Sequence, residues 1–184
     1  MIDPAVLESF VGQEAEPPRV ARYAVDAAMI RNWVEALDDR NPVYVDDEAA
    51  RASGRRGIVA PPAMISTWVM RGVRRWREVQ RMRAEGQAED GASSRLLALF
   101  DDEGYTSVVA TDVEQVYERE VRPGDHVTCR STIEAITGPK STQLGEGYFL
   151  TLGKRYEDAA GAVLATERFR MLRFRPIPTG EEIA

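Results

Sequence analysis

His126 is the only histidine in the chain. A reaction that needs an imidazole base near neutral pH must use that residue or borrow one from another chain. His126 follows the turn Pro123-Gly124-Asp125 and reads as a strand-edge residue, with a catalytic role as the alternative. A second chemistry-bearing stretch is Asp39-Arg40-Asn41-Pro42-Val43-Tyr44. Read from the residues alone, Asp39 ends a helix in a turn and bonds local backbone. Tyr44 is a packing or interface aromatic, since a free phenol has a pKa of about 10, far from the range of a general base at neutral pH. Arginines recur from Arg71 through Arg74, Arg75 and Arg77 to Arg83. They suit either the solvated face of an amphipathic helix or the phosphates of a nucleotide, whose oxygens match the guanidinium fork. Lys140 lies in a glycine-bearing stretch that touches a nucleotide or makes a turn. Cys129 is the only cysteine, so no disulfide forms within the chain and no cysteine cluster holds a metal. We expect no metal and no permanently bound cofactor, and a reducing cytoplasm suits the chain.

The elements that must position these groups change character midway. From Asp26, a capping residue, Met29, Ile30, Trp33, Val34 and Leu37 fall at helical spacing. Asn41 precedes a proline and is expected to be extended. Asp46 caps a short helix with Asp47 and Glu48 in its first turn, and Gly54 stops it. Pro61 or Pro62 opens a long helix with Ile65, Trp68, Val69, Val73 and Trp76 on its apolar face. Trp68 and Trp76 are read as core, or as lining for an apolar pocket. Residues 85–94 are polar and glycine-bearing, a loop. The second half alternates as strands: Val109 to Val121 as a half-buried strand with one wet face, His126 to Thr137, and a hairpin of Gly147–Tyr156 with Val163–Phe174. A slip in alternation at Met171-Leu172 marks a bulge. Helices followed by antiparallel strands predict an α+β fold.

The chain has 184 residues, a net charge of −6 and a pI of about 5.0. That length fits one domain, taken as residues 1–176 with a loose tail at 177–184. The acidity argues against a nucleic-acid binder. No stretch approaches the roughly 20 apolar residues of a membrane span, and the first residues lack the pattern of a signal peptide.

Asp39 to Tyr44 resembles the Gly-Asp-x-Asn-Pro-Leu-His signature of MaoC-like (R)-specific enoyl hydratases and dehydratases. Gly57-Ile58-Val59-Ala60-Pro61-Pro62 and Arg122-Pro123-Gly124-Asp125 add to the resemblance. The sequence is most similar to the non-catalytic MaoC-like subunits of heteromeric hydratases in steroid side-chain degradation. The matching stretches are Phe100-Asp101-Asp102-Glu103-Gly104-Tyr105 and the run from Gly138 to Gly147. The resemblance spans about Val20 to Arg175. It implies a hotdog fold, a long antiparallel sheet wrapped around a central helix. It also implies water addition across a trans-2-enoyl-CoA. In the family an Asp and a His hold the water, and backbone N–H groups at the central helix polarise the thioester.

Against that pattern, Asp39 matches the catalytic Asp, Tyr44 replaces the His, and Pro61-Pro62 replaces His-Gly, removing N–H donors. The resemblance therefore implies an acyl-binding subunit that is inactive alone. Its partner would be a short catalytic hotdog subunit carrying the Asp/His pair, two of each chain. Val59, Ala60, Ala63, Met64 and Trp68 would line the acyl site, and Arg71, Arg74 and Lys140 would meet the CoA phosphates. A central helix cut short at residues 85–94 would leave room for a bulky, ring-bearing acyl group, an ordinary surface insertion being the plain alternative. Two other readings remain open: a subunit of an acyl-carrier-protein dehydratase in fatty-acid elongation, and a non-enzymatic acyl-CoA-binding or scaffolding module. In the last, the Pro176-to-Gly180 stretch would link to a further domain that docks a thiolase-like enzyme.

Overall fold

The computed structural model describes residues 2–87 and 91–177. Residues 178–184, most of the expected tail, and residues 88–90 of the expected loop lie outside the described set. Five strands form one antiparallel sheet in the order β1-β3-β4-β5-β2. They are β1 (Glu14–Val20), β2 (Ser107–Tyr117), β3 (Thr128–Thr142), β4 (Gly145–Glu157) and β5 (Val163–Phe174). The β4–β5 hairpin turns where the sequence places it. β1 is a strand that the alternation does not announce, because Pro17 and Pro18 interrupt it. Both prolines are tolerated there because β1 is an edge strand.

Among the described residues five α-helices accompany the sheet: α1 (Pro4–Glu8), α2 (Ala27–Ala36), α3 (Asp47–Ala52), α4 (Gly72–Ala84) and α5 (Ala92–Asp102). α2 begins as expected, with the Asp26 carboxylate accepting the Met29 N–H at 2.8 Å. Asp46 caps α3 by accepting from Glu48 and Ala49, and Gly54 follows with φ of +87°. Only part of the α2 face reaches the core: Ile30 and Val34 are buried, whereas Met29 and Leu37 are exposed.

The long helix expected from Pro61 or Pro62 does not form as one element. The chain makes two single-turn 3-10 helices, Pro62–Met64 and Thr67–Val69. Extended Met70 and left-handed Gly72, with φ of +68°, then interrupt it before α4 begins. Left-handed backbone is a glycine conformation that a continuous helix cannot contain. Ile65, Trp68 and Val69 are buried accordingly, but Val73 and Trp76 are not; Trp76 is 60% exposed. The loop reading of residues 85–94 also ends too late, since α5 starts at Ala92 behind Gly91, whose φ is +128°. α5 is an element the sequence reading passed over. Its Ala92, Leu96 and Phe100 recur every four residues and are all buried.

Side chains alternate across a strand, so Tyr148, Leu150 and Tyr156 of β4 share one face of the sheet. All three are buried there under the helical layer. Two apolar clusters cover that face. One joins Ile30, Val34, Met64, Trp68, Val127 and Tyr156. The other joins Leu96, Phe100, Tyr105, Ile133, Tyr148 and Leu150. The expected central helix is thus divided between the turns of residues 62–69 and α5. Between the clusters, on the same face, Leu152, Lys154 and Phe169 are only half-buried.

β2 departs from its expected half-buried pattern. It is the second edge strand and pairs with β5 alone among the described strands. Val108, Val109, Val113, Val116 and Tyr117 are all exposed. The bulge suggested by Met171-Leu172 lies on the neighbouring strand. Ala110 pairs with Met171 and Asp112 with Arg170, leaving Thr111 as the extra residue.

Candidate active site

The Asp39–Tyr44 stretch is a self-bonded turn. The Asp39 N–H donates to the Val34 carbonyl at 2.9 Å, and its carboxylate accepts the Asn41 N–H at 3.1 Å. Asn41 is extended and its side chain accepts from Val43 at 3.3 Å, capping the short helix Pro42–Tyr44. Asp38 holds a positive φ of 50° and its carboxylate takes two bonds from Arg40 at 3.0 Å. Tyr44 is half-buried and, like Trp33, packs against the apolar cluster of Ile30, Val34 and Trp68. No imidazole joins this turn. His126 is half-buried in the short segment between the Pro123–Asp125 turn and β3.

The segment that should polarise a thioester carbonyl is closed off. The Ile58 N–H donates to the Asp47 carboxylate at 3.0 Å. The Val59 N–H donates to the Val43 carbonyl at 3.3 Å and the Ala60 N–H to the Val121 carbonyl at 2.8 Å. Pro61 and Pro62 have no N–H. From Ile58 through Pro62, therefore, every backbone donor is engaged or missing. Gly57 fits this threading closely, since a Cβ there would stand 2.9 Å from the Asp47 carboxylate.

Of the five positions expected to line an acyl site, Val59, Ala60, Met64 and Trp68 are buried, and Ala63 is exposed. Trp68 also lines a cleft of about 1090 Å³ between α4 and residues 18–29. Arg71 and Arg74 line the same cleft and Lys140 does not. Arg71 lies 3.4 Å from Glu16. Lys140 sits on β3 with its ammonium 5.9 Å above the Phe149 ring.

A charged network that the sequence pattern does not announce lies on the helix-facing side of the sheet. Glu167 on β5 is 5% exposed. Its carboxylate meets Lys154 Nζ at 2.5 Å, Gln115 Nε2 at 2.6 Å and the Tyr156 hydroxyl at 3.3 Å. Burial pushes its pKa up, but these donors outweigh burial and hold it below the usual carboxylate range. Burial pushes the Tyr156 phenol far above its ordinary value, with Cys129 and Glu167 adding to the shift. Tyr105 is driven up to about 12 by burial and its bond to Glu146. Neither phenol is a base at neutral pH. The signal for the network is that Lys154 and Glu167 stand two residues from Leu152, Tyr156, Ala165 and Phe169, on the apolar side of their strands. Among the described residues, no group of three or more His, Cys, Asp or Glu is placed to hold a metal, and no helix is long and apolar enough to cross a membrane.

Comparison with known proteins accords with this geometry. A family model described as FAS1-like, dehydratase domain region, matches residues 9–167. A probable enoyl-CoA hydratase alpha subunit from Thermomonospora curvata is 46% identical over 173 residues, covering 94% of this chain and 52% of the relative. The 3-oxo-4,17-pregnadiene-20-carboxyl-CoA hydratase alpha subunit of Mycobacterium tuberculosis is 44% identical over 159 residues, covering 86% of this chain and 48% of the relative. The chain spans about half the length of these curated relatives. The crystal structure of the ChsH1-ChsH2 complex from Mycobacterium tuberculosis contains a chain that superposes with a TM-score of 0.76 at 42% identity. The match covers 89% of this chain and 86% of that one.

Proposed function

Since the chain belongs to the MaoC-like hotdog hydratases and dehydratases, we propose that it is the acyl-binding, non-catalytic subunit of a heteromeric enoyl-CoA hydratase. One observation carries this reading. The turn that matches the family's catalytic motif presents Asp39 and Tyr44 without an imidazole, beside a segment whose backbone donors are engaged or absent. Neither proton transfer nor carbonyl polarisation has its group here. A partner hotdog subunit with an intact Asp/His pair supplies both, and this chain shapes the site.

The exposed edge strand supports a partner. β2 offers unpaired backbone along one side and a row of valines, features that a lone soluble chain normally covers or charges. The break in the expected central helix at Met70 and Gly72 supports room for a ring-bearing acyl group. The Mycobacterium tuberculosis relative that is named for a pregnadiene-carboxyl-CoA supports a steroid-derived substrate. The same reading includes two copies of each chain and a thiolase-like enzyme docked elsewhere on the protein. The relatives' greater length bears on the docking alone, as room for a further domain that carries it.

The test is hydration of an enoyl-CoA followed by absorbance, with this chain alone and with a short MaoC-like hotdog protein encoded beside it. Turnover only in the mixture supports the reading, and normal turnover by this chain alone overturns it. Faster turnover of a ring-bearing enoyl-CoA than of a straight-chain one supports the substrate class.

A further inference from the structure

The cleft beside α4 has a charge that the rest of the chain does not share. Its lining carries Arg19, Arg22, Arg71, Arg74, Arg75 and Arg81 against Asp26, Glu78 and Glu85, in a protein of net charge −6. Two of those carboxylates are engaged, Asp26 as the cap of α2 and Glu78 with Arg75 at 3.0 Å. Arg19 pairs with Glu16 at 2.6 Å. Arg22, Arg74 and Arg81 have no side-chain partner among the described residues. The remaining wall is aromatic and soft. Tyr23 and Met70 are each 74% exposed beside Met29 and Met82. Trp68, also in the lining, is 8% exposed, and its buried indole N–H has no acceptor among the described residues. A buried donor left unmet is a rarity that a ligand can resolve.

We propose that this cleft holds the phosphoadenosine diphosphate end of the CoA thioester. The choice of CoA among polyanions rests on the hydratase reading above. Arg22, Arg74 and Arg81 take the phosphates, for which unpaired guanidinium forks are suited. The exposed Tyr23 ring takes the adenine face, a stacking that any base allows. A thioester whose nucleotide end is held here reacts at the centre that the partner subunit carries, and its flexible pantetheine arm allows the two to lie apart.

CoA titrated into the purified protein, followed by tryptophan fluorescence, tests the assignment. An Arg74→Gln/Arg81→Gln double variant is expected to weaken CoA binding about tenfold or more. Arg77→Gln, on the same helix but outside the lining, is expected to change it less than about twofold. In the reconstituted hydratase the double variant should raise KM for an enoyl-CoA. It should leave KM unchanged for the matching N-acetylcysteamine thioester, which lacks the nucleotide. Equal weakening by Arg77→Gln, or unchanged CoA binding in the double variant, overturns the assignment even if the mixture is active. If the mixture does not hydrate enoyl-CoA but the double variant still loses CoA, the cleft assignment stands and the hydratase reading fails. Because the substituted arginines are exposed or unpartnered, unaltered thermal melting is expected in all three proteins.

Discussion

Lys154 and Glu167 face each other across β4 and β5, with Nζ 2.5 Å from the carboxylate on the buried side of the sheet. The pair lies between the two apolar clusters and ties β4 to β5, while Gln115 reaches the same carboxylate from β2. Removing one member leaves the other charge unpaired. Glu167→Gln is expected to cost about 3 kcal/mol, the low end of what breaking a buried pair costs, because Lys154 retains some solvent contact. The pH dependence has a definite sign. A carboxyl whose folded pKa is depressed stabilises the protein above its unfolded value of about 4.3, and that contribution is lost as pH falls through the folded value. Urea unfolding at about pH 7 and about pH 3.5 should therefore show the gap between wild type and variant narrowing in acid.

Restoring the missing imidazole should not restore activity. Tyr44→His recreates the family spacing from Asp39, yet Pro61 and Pro62 still offer no N–H and the donors of Ile58, Val59 and Ala60 stay engaged. This variant alone is expected to remain inactive in the enoyl-CoA absorbance assay. In the reconstituted hydratase, Asp39→Asn is expected to lower kcat less than about threefold, since loss of a true general acid or base costs about a hundredfold or more.

The β2 edge makes a prediction about assembly. Val113 is 53% exposed in this chain, so Val113→Lys is expected to change its stability by no more than about 0.5 kcal/mol. A lysine there should nonetheless block pairing across the edge. Light scattering after size exclusion should show the variant failing to join its partner while its thermal melt is unchanged.

The glycines of the Gly138-to-Gly147 run are structural. Gly145 has a φ of +135°, and a Cβ on it would collide with the Arg175 carbonyl; one on Gly147 would collide with the Arg173 carbonyl. Gly145→Ala combines left-handed strain with overpacking and should cost about 2–4 kcal/mol. A thermal melt lowered by about 4–16 °C would show it.

Much of this architecture was legible in the residues. Asp26 and Asp46 announce their helices because a capping carboxylate acts on N–H groups two or three residues away. The β4–β5 hairpin is legible because alternation and a glycine turn are also local. The motif at Asp39 was recognisable as a turn, and the absence of a histidine in it is a fact of sequence. The long helix was misjudged because helical spacing persists through Val73 and Trp76, while one extended residue, Met70, and left-handed Gly72 turn the chain off the sheet. α5 was passed over because its glycine-bearing approach read as loop.

What the sequence by itself determined is the α+β order of elements, the hotdog resemblance and the absence of a histidine from the Asp39–Tyr44 stretch. These follow from interactions within a few residues, or from the residue types themselves. Tertiary structure decided which donors near Pro61 are already engaged, which strand is left as an open edge, and how Arg22, Arg74 and Arg81 gather around one cleft. Those relationships join residues far apart in the chain. They depend on how two helical segments divide the face of one sheet, and periodicity along a single segment carries no information about that division.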